Sequence, residues 1–270
     1  ESIPRTFRQE RFNIMRISLI QTNIIWENKE ENLKLLNEKL ETLRNTTDIV
    51  VLPEMFSTGF SMNSRILAEP VDGPTITTLK KWAKEYNFAI TGSYISSDNN
   101  TYYNRAFFLT PSGESFYYDK HHLFRMGEEP LHFSAGEQKC IFNYKGWNIC
   151  LNVCYDLRFP VWLRNTNNSY DLLLIVASWP TPRIKVWEML LYARAMENQS
   201  YVCGVNRIGR DGNNLDYPGK SMLLDAKGRC LTSFKEGEEN IQTVEIDIES
   251  LQSFRDKFPV WKDADSFILS

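Results

Sequence analysis

The chain has 270 residues, 42% hydrophobic and 24% charged, with a formal net charge of −3. That composition is ordinary for a soluble globular protein, and the length allows one large domain or two small ones. A sequence pI near 5.8, with no basic stretch interleaved by aromatics, argues against nucleic acid as a partner. The longest apolar run, LLLIVA after Asp171, falls far short of the roughly 20 residues that span a bilayer, so no membrane segment is expected.

The first residues, ESIPRTFRQERFNI, are polar and mixed in charge and lack the apolar middle of a signal peptide. The regular pattern starts at Met15, so residues 1–14 are expected to be an extension and 15–270 a single domain. RISLIQ reads as a short buried strand. Over 29–44, Leu33, Leu36, Leu40 and Leu43 recur at helical spacing. DIVVLPE is a strand that ends on Pro53 and Glu54; DGP at 72–74 is a turn, and a helix is expected from about Thr75 to Tyr86. The strands FAITGSYI and YYNRAFFLT follow, and PSGE at 111–114 turns the chain into SFYYDK. A loop covers roughly 121–138. KCIFNY and WNICLNVC then flank a tight turn at Lys145–Gly146.

After Cys154 a helix is expected to about Asn167. DLLLIVAS is a further apolar strand, a helix spans about Ile184 to Asn198, and SYVCGVNR follows it. Further strands are expected near 219–225, 229–233 and 241–248. Helices alternate with strands that are apolar throughout, which is the pattern of an α/β protein whose sheet faces are covered. The five cysteines are Cys140, Cys150, Cys154, Cys203 and Cys230, an odd count with four in apolar runs. They read as reduced thiols in a cytoplasm, not as a disulfide framework.

Two strand ends draw notice, because polar groups just past the carboxyl ends of strands line ligand clefts in α/β proteins. Cys154 closes WNICLNV. A free cysteine is often a small core residue, and Cys140, Cys150 and Cys203 fit that role. At a strand-to-helix junction, unpaired backbone N–H groups favour a thiolate, so for Cys154 packing and nucleophilic roles both stay open. Glu54 closes DIVVLP. A poorly solvated carboxylate there is a usable base, and a surface turn acid is the other reading. Lys120 ends SFYYD, either as a solvated lysine or as a fixed cation beside a developing oxyanion. His121, His122 and His132 share one loop, but the adjacent pair has neither helical nor finger spacing, so no metal site is expected. GRDGNNLDYPGKS at 209–221 has glycines without a strand-to-helix phosphate pattern.

Taken together, LPE at 52–54, YDKHHLF at 118–124 and CYDLRFP at 154–160 resemble the nitrilase (carbon–nitrogen hydrolase) superfamily, whose signature is a Glu–Lys–Cys triad in this order. LPEMFSTGF, KHHLFRM, CYDLRFPVWLRN, ASWPTPR, ARAMENQSYV and FPVWKDAD are similar in particular to the bacterial omega-amidases of that superfamily. The resemblance implies a four-layer α-β-β-α sandwich that assembles into at least a homodimer. It also implies an amidase that hydrolyses the terminal amide of small 2-oxo acid amides (2-oxoglutaramate, 2-oxosuccinamate) through a cysteine thioester, with neither cofactor nor metal. By the same resemblance Glu54 is the base, Lys120 the oxyanion cation and Cys154 the nucleophile. A second glutamate is Glu129, seven residues before Gly136, with Glu128 as its neighbour and rival.

The Tyr155 N–H is a candidate second oxyanion donor. A 2-oxo acid carboxylate needs a cation, for which Arg158 and Arg183 are candidates. Arg158 could instead form a salt bridge that orients the cysteine loop, and Arg183 could be merely solvated. Trp179 and Phe60 are candidate pocket walls, or core packing. An N-carbamoyl amide hydrolase or a nitrilase is the alternative activity, and a non-catalytic protein that keeps the fold is the third reading.

Overall fold

The computed structural model describes residues 13–268. Its strands form two large sheets. In the first, β1 (Ile14–Gln21), β2 (Ile49–Val51), β3 (Ala89–Asp98), β4 (Thr101–Leu109), β5 (Ser115–Asp119) and β13 (Asn240–Asp247) lie in the order β13-β1-β2-β3-β4-β5. The second holds β6 (Cys140–Tyr144), β7 (Trp147–Val153), β8 (Leu172–Ala177), β9 (Tyr201–Asn206) and β12 (Met222–Leu224), in the order β12-β9-β8-β7-β6. A hairpin of β10 (Ile208–Arg210) and β11 (Asp216–Pro218) stands apart.

The apolar strands are continuous because both faces are covered. On β2, Ile49 and Val51 face the second sheet, while Val50 packs under helices α1 (Lys29–Glu41) and α2 (Pro74–Tyr86) with Leu36, Leu40, Ile76 and Leu79. Between the sheets, Phe142 stacks on Phe116 at 4.1 Å and meets Phe108 at 4.8 Å. Helix α3 (Ile184–Asn198) covers the far face of the second sheet through Trp187, Leu191 and Ala195. It lies so close to β9 that a Cβ on Gly204 would sit 2.7 Å from Leu191 Cδ1. Helix α4 (Ile248–Lys257) adds Ile248 and Leu251 to the same core. The layers therefore run helix, sheet, sheet, helix.

Most predicted elements are present. The Lys145–Gly146 turn has φ of 49° and 83°, the left-handed pair that a two-residue hairpin needs. Three expectations shift. Of the expected extension at 1–14, residues 1–12 lie outside the described residues, but Asn13 and Ile14 belong to the fold. Ile14 pairs with Asp247, and Asn13 Nδ2 donates to Glu249 Oε1 at 2.6 Å. The helix expected after Cys154 is instead a 3-10 turn at Cys154–Arg158, a single α turn at Pro160–Leu163 and another 3-10 turn at Thr166–Asn168. Pro160 has no N–H to donate and holds Phe159 out of the helical region, at φ −111° and ψ 90°. The strand expected at 229–233 reduces to one bridge, Leu224 to Cys230.

Candidate active site

Strands β7, β8 and β9 run parallel and in step, Val153 opposite Val176 and Ala177 opposite Asn206, so their carboxyl ends open at one level. The first sheet brings the end of β2 to the same place. There the Glu54 N–H donates to the Ala177 carbonyl at 3.4 Å, and the Ser178 N–H returns a bond to Glu54 Oε2 at 2.8 Å. Glu54 is fully buried.

Lys120 follows β5 directly and is 1% exposed. Its Nζ donates to Glu54 Oε1 at 3.0 Å and to Glu129 Oε1 and Oε2 at 3.0 and 2.9 Å. Of the two neighbouring glutamates, Glu129 is buried in this contact while Glu128 is exposed. Burial alone would pull the Lys120 pKa down, but Glu129 and then Glu54 outweigh it, and the ammonium is held above its ordinary value. Glu129 is raised by burial, with Lys120 opposing and the charge of Glu54 adding to the rise.

Cys154 opens its 3-10 turn with φ of +44°, a left-handed conformation that costs a residue with a side chain about 1–2 kcal/mol. The conformation turns the thiol from β7 toward the cavity, where Sγ lies 3.9 Å from the Ser178 carbonyl. Burial, and next the Glu54 carboxylate, push the thiol well above the ordinary range, with Lys120 opposing. The turn is held by Asp156, fully buried, whose Oδ2 accepts the Val153 N–H at 3.1 Å. Its Oδ1 accepts the His122 N–H at 2.9 Å and faces His122 Nδ1 at 2.8 Å.

These groups face a cavity of about 280 Å³ whose walls include Lys120, Cys154, Tyr155, Phe60 and Trp179. Arg158 and Arg183 line the same cavity. The Arg158 guanidinium lies over the Trp179 ring at 5.1 Å, and that of Arg183 over Phe124 at 5.2 Å.

The family model for carbon-nitrogen hydrolases matches residues 16–256. The chain belongs to the carbon–nitrogen hydrolase family. An omega-amidase (YafV) of Yersinia enterocolitica is 41% identical to this hydrolase, over 94% of its length and 98% of the relative's. The 2-oxoglutaramate amidase of Bacillus subtilis is 35% identical, over 92% and 96%. Among solved structures, a CN-hydrolase superfamily protein from Xanthomonas campestris, which carries an arsenic adduct in its active site, superposes with a TM-score of 0.93. Its identity is 40%, with 95% of this chain and 99% of that one covered.

Every site residue expected from the sequence of this hydrolase reaches the one cavity or the ion cluster behind it. Arg158 makes no salt bridge among the described residues, so the tie on the cysteine loop is Asp156 and not Arg158. The rings of His121 and His122 meet edge to face at 4.5 Å. His121 stacks on Trp162 at 3.7 Å and His122 on Phe159 at 3.6 Å, and no cluster of three or more His, Cys, Asp or Glu that could hold a metal ion occurs among the described residues.

Sequence reasoning missed three contributors. Asn104, on β4, donates to both glutamates. Asp156 is a polar residue two positions past Cys154, and nothing in the sequence marked its burial. The glycine-containing segment 209–221 holds the β10–β11 hairpin, and it lines the cavity with Asp211, Asn213, Leu215 and Tyr217.

Proposed function

We propose that this carbon–nitrogen hydrolase is an omega-amidase that cleaves the terminal amide of small 2-oxo dicarboxylic acid monoamides, the class that includes 2-oxoglutaramate and 2-oxosuccinamate. The observation that carries the reading is the sharing of one small cavity by a buried thiol, a lysine chelated by two carboxylates, and two arginines without ion partners among the described residues. The names of the relatives point the same way.

Glu54 takes the Cys154 proton. A thiol raised by burial and by the Glu54 charge is not an ion at rest, so transfer accompanies attack. The sulfur bonds to the amide carbon, and the carbonyl electron pair moves to oxygen. Lys120 and the Tyr155 N–H stabilise that oxyanion; Tyr155 is the second residue of its 3-10 turn, where N–H groups have no partner inside the turn. Collapse breaks the carbon–nitrogen bond, and the proton on Glu54 leaves with ammonia. A water deprotonated by Glu54 then attacks the thioester, releasing the acid and restoring the thiol. Glu129 keeps Lys120 oriented throughout. At the far end of the cavity, Arg158 and Arg183 meet the substrate carboxylate.

We further infer a homodimer, supported by the exposed apolar side chains of Val161, Met189 and Met196 on the Pro160–Leu163 turn and α3. A cytoplasmic location is proposed on the free state of all five cysteines. No helix among the described residues is long and apolar enough to cross a membrane.

The test is ammonia release from 2-oxoglutaramate against N-carbamoyl amino acids, nitriles and simple amides. A preference for the 2-oxo acid amide is expected; faster turnover of carbamoyl compounds or nitriles would assign a different branch of the family.

A further inference from the structure

Asn104 comes from β4, a strand that carries none of the sequence-predicted site residues, yet it is fully buried and touches three of them. Its Nδ2 donates to Glu54 Oε1 at 2.7 Å and to Glu129 Oε1 at 3.1 Å. Lys120 Nζ donates to the same two oxygens, at 3.0 Å each. Two donors and two acceptors thus alternate around a closed ring. The Asn104 carbonyl also accepts the Lys120 backbone N–H at 3.0 Å. One residue fixes the backbone of the lysine and the side chains of both glutamates.

The amide is oriented from behind. Ser93 Oγ accepts the Met55 N–H at 2.8 Å, which leaves its own hydrogen for Asn104 Oδ1 at 3.0 Å. A flipped amide would set a carbonyl oxygen against two carboxylates, so the hydrogen-bond network admits one orientation.

We propose that Asn104 is a positioning residue that holds Glu54 and Glu129 side by side in their ionised forms, leaving Glu54 free to accept the Cys154 proton. The proposal rests on the amidase mechanism above. Two carboxylates that share one lysine in a dry site carry a net negative charge, and such a pair tends to take up a proton. The resulting acid could not act as the base. Hydrogen bonds to the charged forms oppose that uptake, and the Asn104 amide supplies one to each carboxylate.

The groups facing the pair are Lys120 from the end of β5, Cys154 from the end of β7 and Tyr217 from the β10–β11 hairpin, which feels the Glu54 charge. The thiol and the phenol are both raised, first by burial, so neither titrates across the acid limb.

Asn104→Leu removes both donors at nearly constant volume. kcat and KM are followed against pH with the preferred amide, and in parallel the pH dependence of Cys154 alkylation by iodoacetamide. The expected result is an acid limb of kcat/KM moved up by about one pH unit, so that on the acid side of both limbs the rate falls roughly tenfold more than on the plateau. The alkylation limb moves with it, while KM changes less than about threefold. A loss of equal proportion at every pH, or an unmoved limb, overturns the proposal.

Ser93→Ala leaves the donors but frees the amide, and a smaller shift in the same direction is expected. Should Asn104→Leu fail to fold, Ser93→Ala and Asn104→Ser decide, and an unmoved limb in both overturns the idea. The alkylation profile needs no turnover. A wild-type enzyme that releases no ammonia, in which Asn104→Leu still shifts the alkylation limb, would sink the substrate reading and leave Asn104 standing.

Discussion

The Tyr118 hydroxyl donates to Asp156 Oδ2 at 2.8 Å, and the two residues stand two positions before Lys120 and two positions after Cys154. That bond ties the strand carrying the cation to the turn carrying the thiol. The Trp162 Nε1–H donates to the same hydroxyl at 3.0 Å, so the tie is packed as well as bonded. Asp156→Asn keeps the shape but replaces one acceptor oxygen with a donor. Facing Val153 N–H, Tyr118 and His122, the amide cannot satisfy every partner. Each unpaired buried donor costs about 1–3 kcal/mol. The expected outcome is a Tm lower by roughly 3–10 °C, with kcat down on the order of a hundredfold from displacement of the thiol. A variant that melts like wild type and turns over normally would remove Asp156 from this role.

Cys154→Ala should abolish turnover while the protein stays folded, because a nucleophile has no substitute in the covalent step. Cys150→Ala, on β7 and directed into the core, should retain most activity and serves as the control. The +44° φ of Cys154 adds a second expectation. Glycine adopts that conformation without penalty, so Cys154→Gly should melt no lower than Cys154→Ala, although it is the smaller residue. Calorimetry on the two inactive variants checks this, and a Gly variant clearly less stable than the Ala variant would deny the strain.

Burial pushes the Cys150 thiol up from 9.0 to about 12. In the unfolded chain the thiol ionises near its ordinary value, whereas in the folded protein it stays protonated to higher pH. Its contribution is therefore fully present below about pH 9 and is lost as pH rises toward about 12. The folded state binds the extra proton across that window, so stability falls with pH there by up to about 1.4 kcal/mol per pH unit for this one group. Urea unfolding at a series of alkaline pH values should show a shallower decline for Cys150→Ala than for wild type. Parallel declines would mean that the thiol is not held neutral.

Glu54, Lys120 and Cys154 were named because LPE, YDKHHLF and CYDLRFP together resemble the carbon–nitrogen hydrolases; the strand-end position left each open by itself, and the register of two packed sheets is what brings those ends together. Asn104 was not, because a polar residue inside YYNRAFFLT looks like the exposed face of an alternating strand. Its partners are 50 and 25 residues away, and only the folded sheet shows that the face is interior. Asp156 received no role, since nothing in CYDLRFP shows that its carboxylate points back at Val153 and across at Tyr118. The helix expected after Cys154 ran through Pro160, where the structure breaks it into short turns. The 209–221 segment was set aside for lacking a phosphate-loop pattern, whereas its contribution is a hairpin that lines the cavity.

Arg158 and Arg183 are joined through Trp179. The Arg158 guanidinium lies over that ring at 5.1 Å, and the Trp179 Nε1–H donates to the Arg183 carbonyl at 2.9 Å. Neither guanidinium has an ion partner among the described residues, so neither is neutralised by the fold, and both line the cavity that holds the thiol. A charge-assisted bond to a substrate carboxylate is worth about 1.5–3 kcal/mol. Arg183→Met and Arg158→Met should therefore each lower kcat/KM for 2-oxoglutaramate by roughly tenfold to a hundredfold, mostly through KM, and change a short neutral amide by less than about threefold. Thermal melts should move little, because no native ion pair is broken. If both arginines grip one carboxylate, the double variant loses less than the product of the single losses, and the cycle reports the coupling. Equal losses on the charged and neutral amides would assign the arginines to the shape of the cavity. Selectivity in only one variant would leave the carboxylate to that arginine alone.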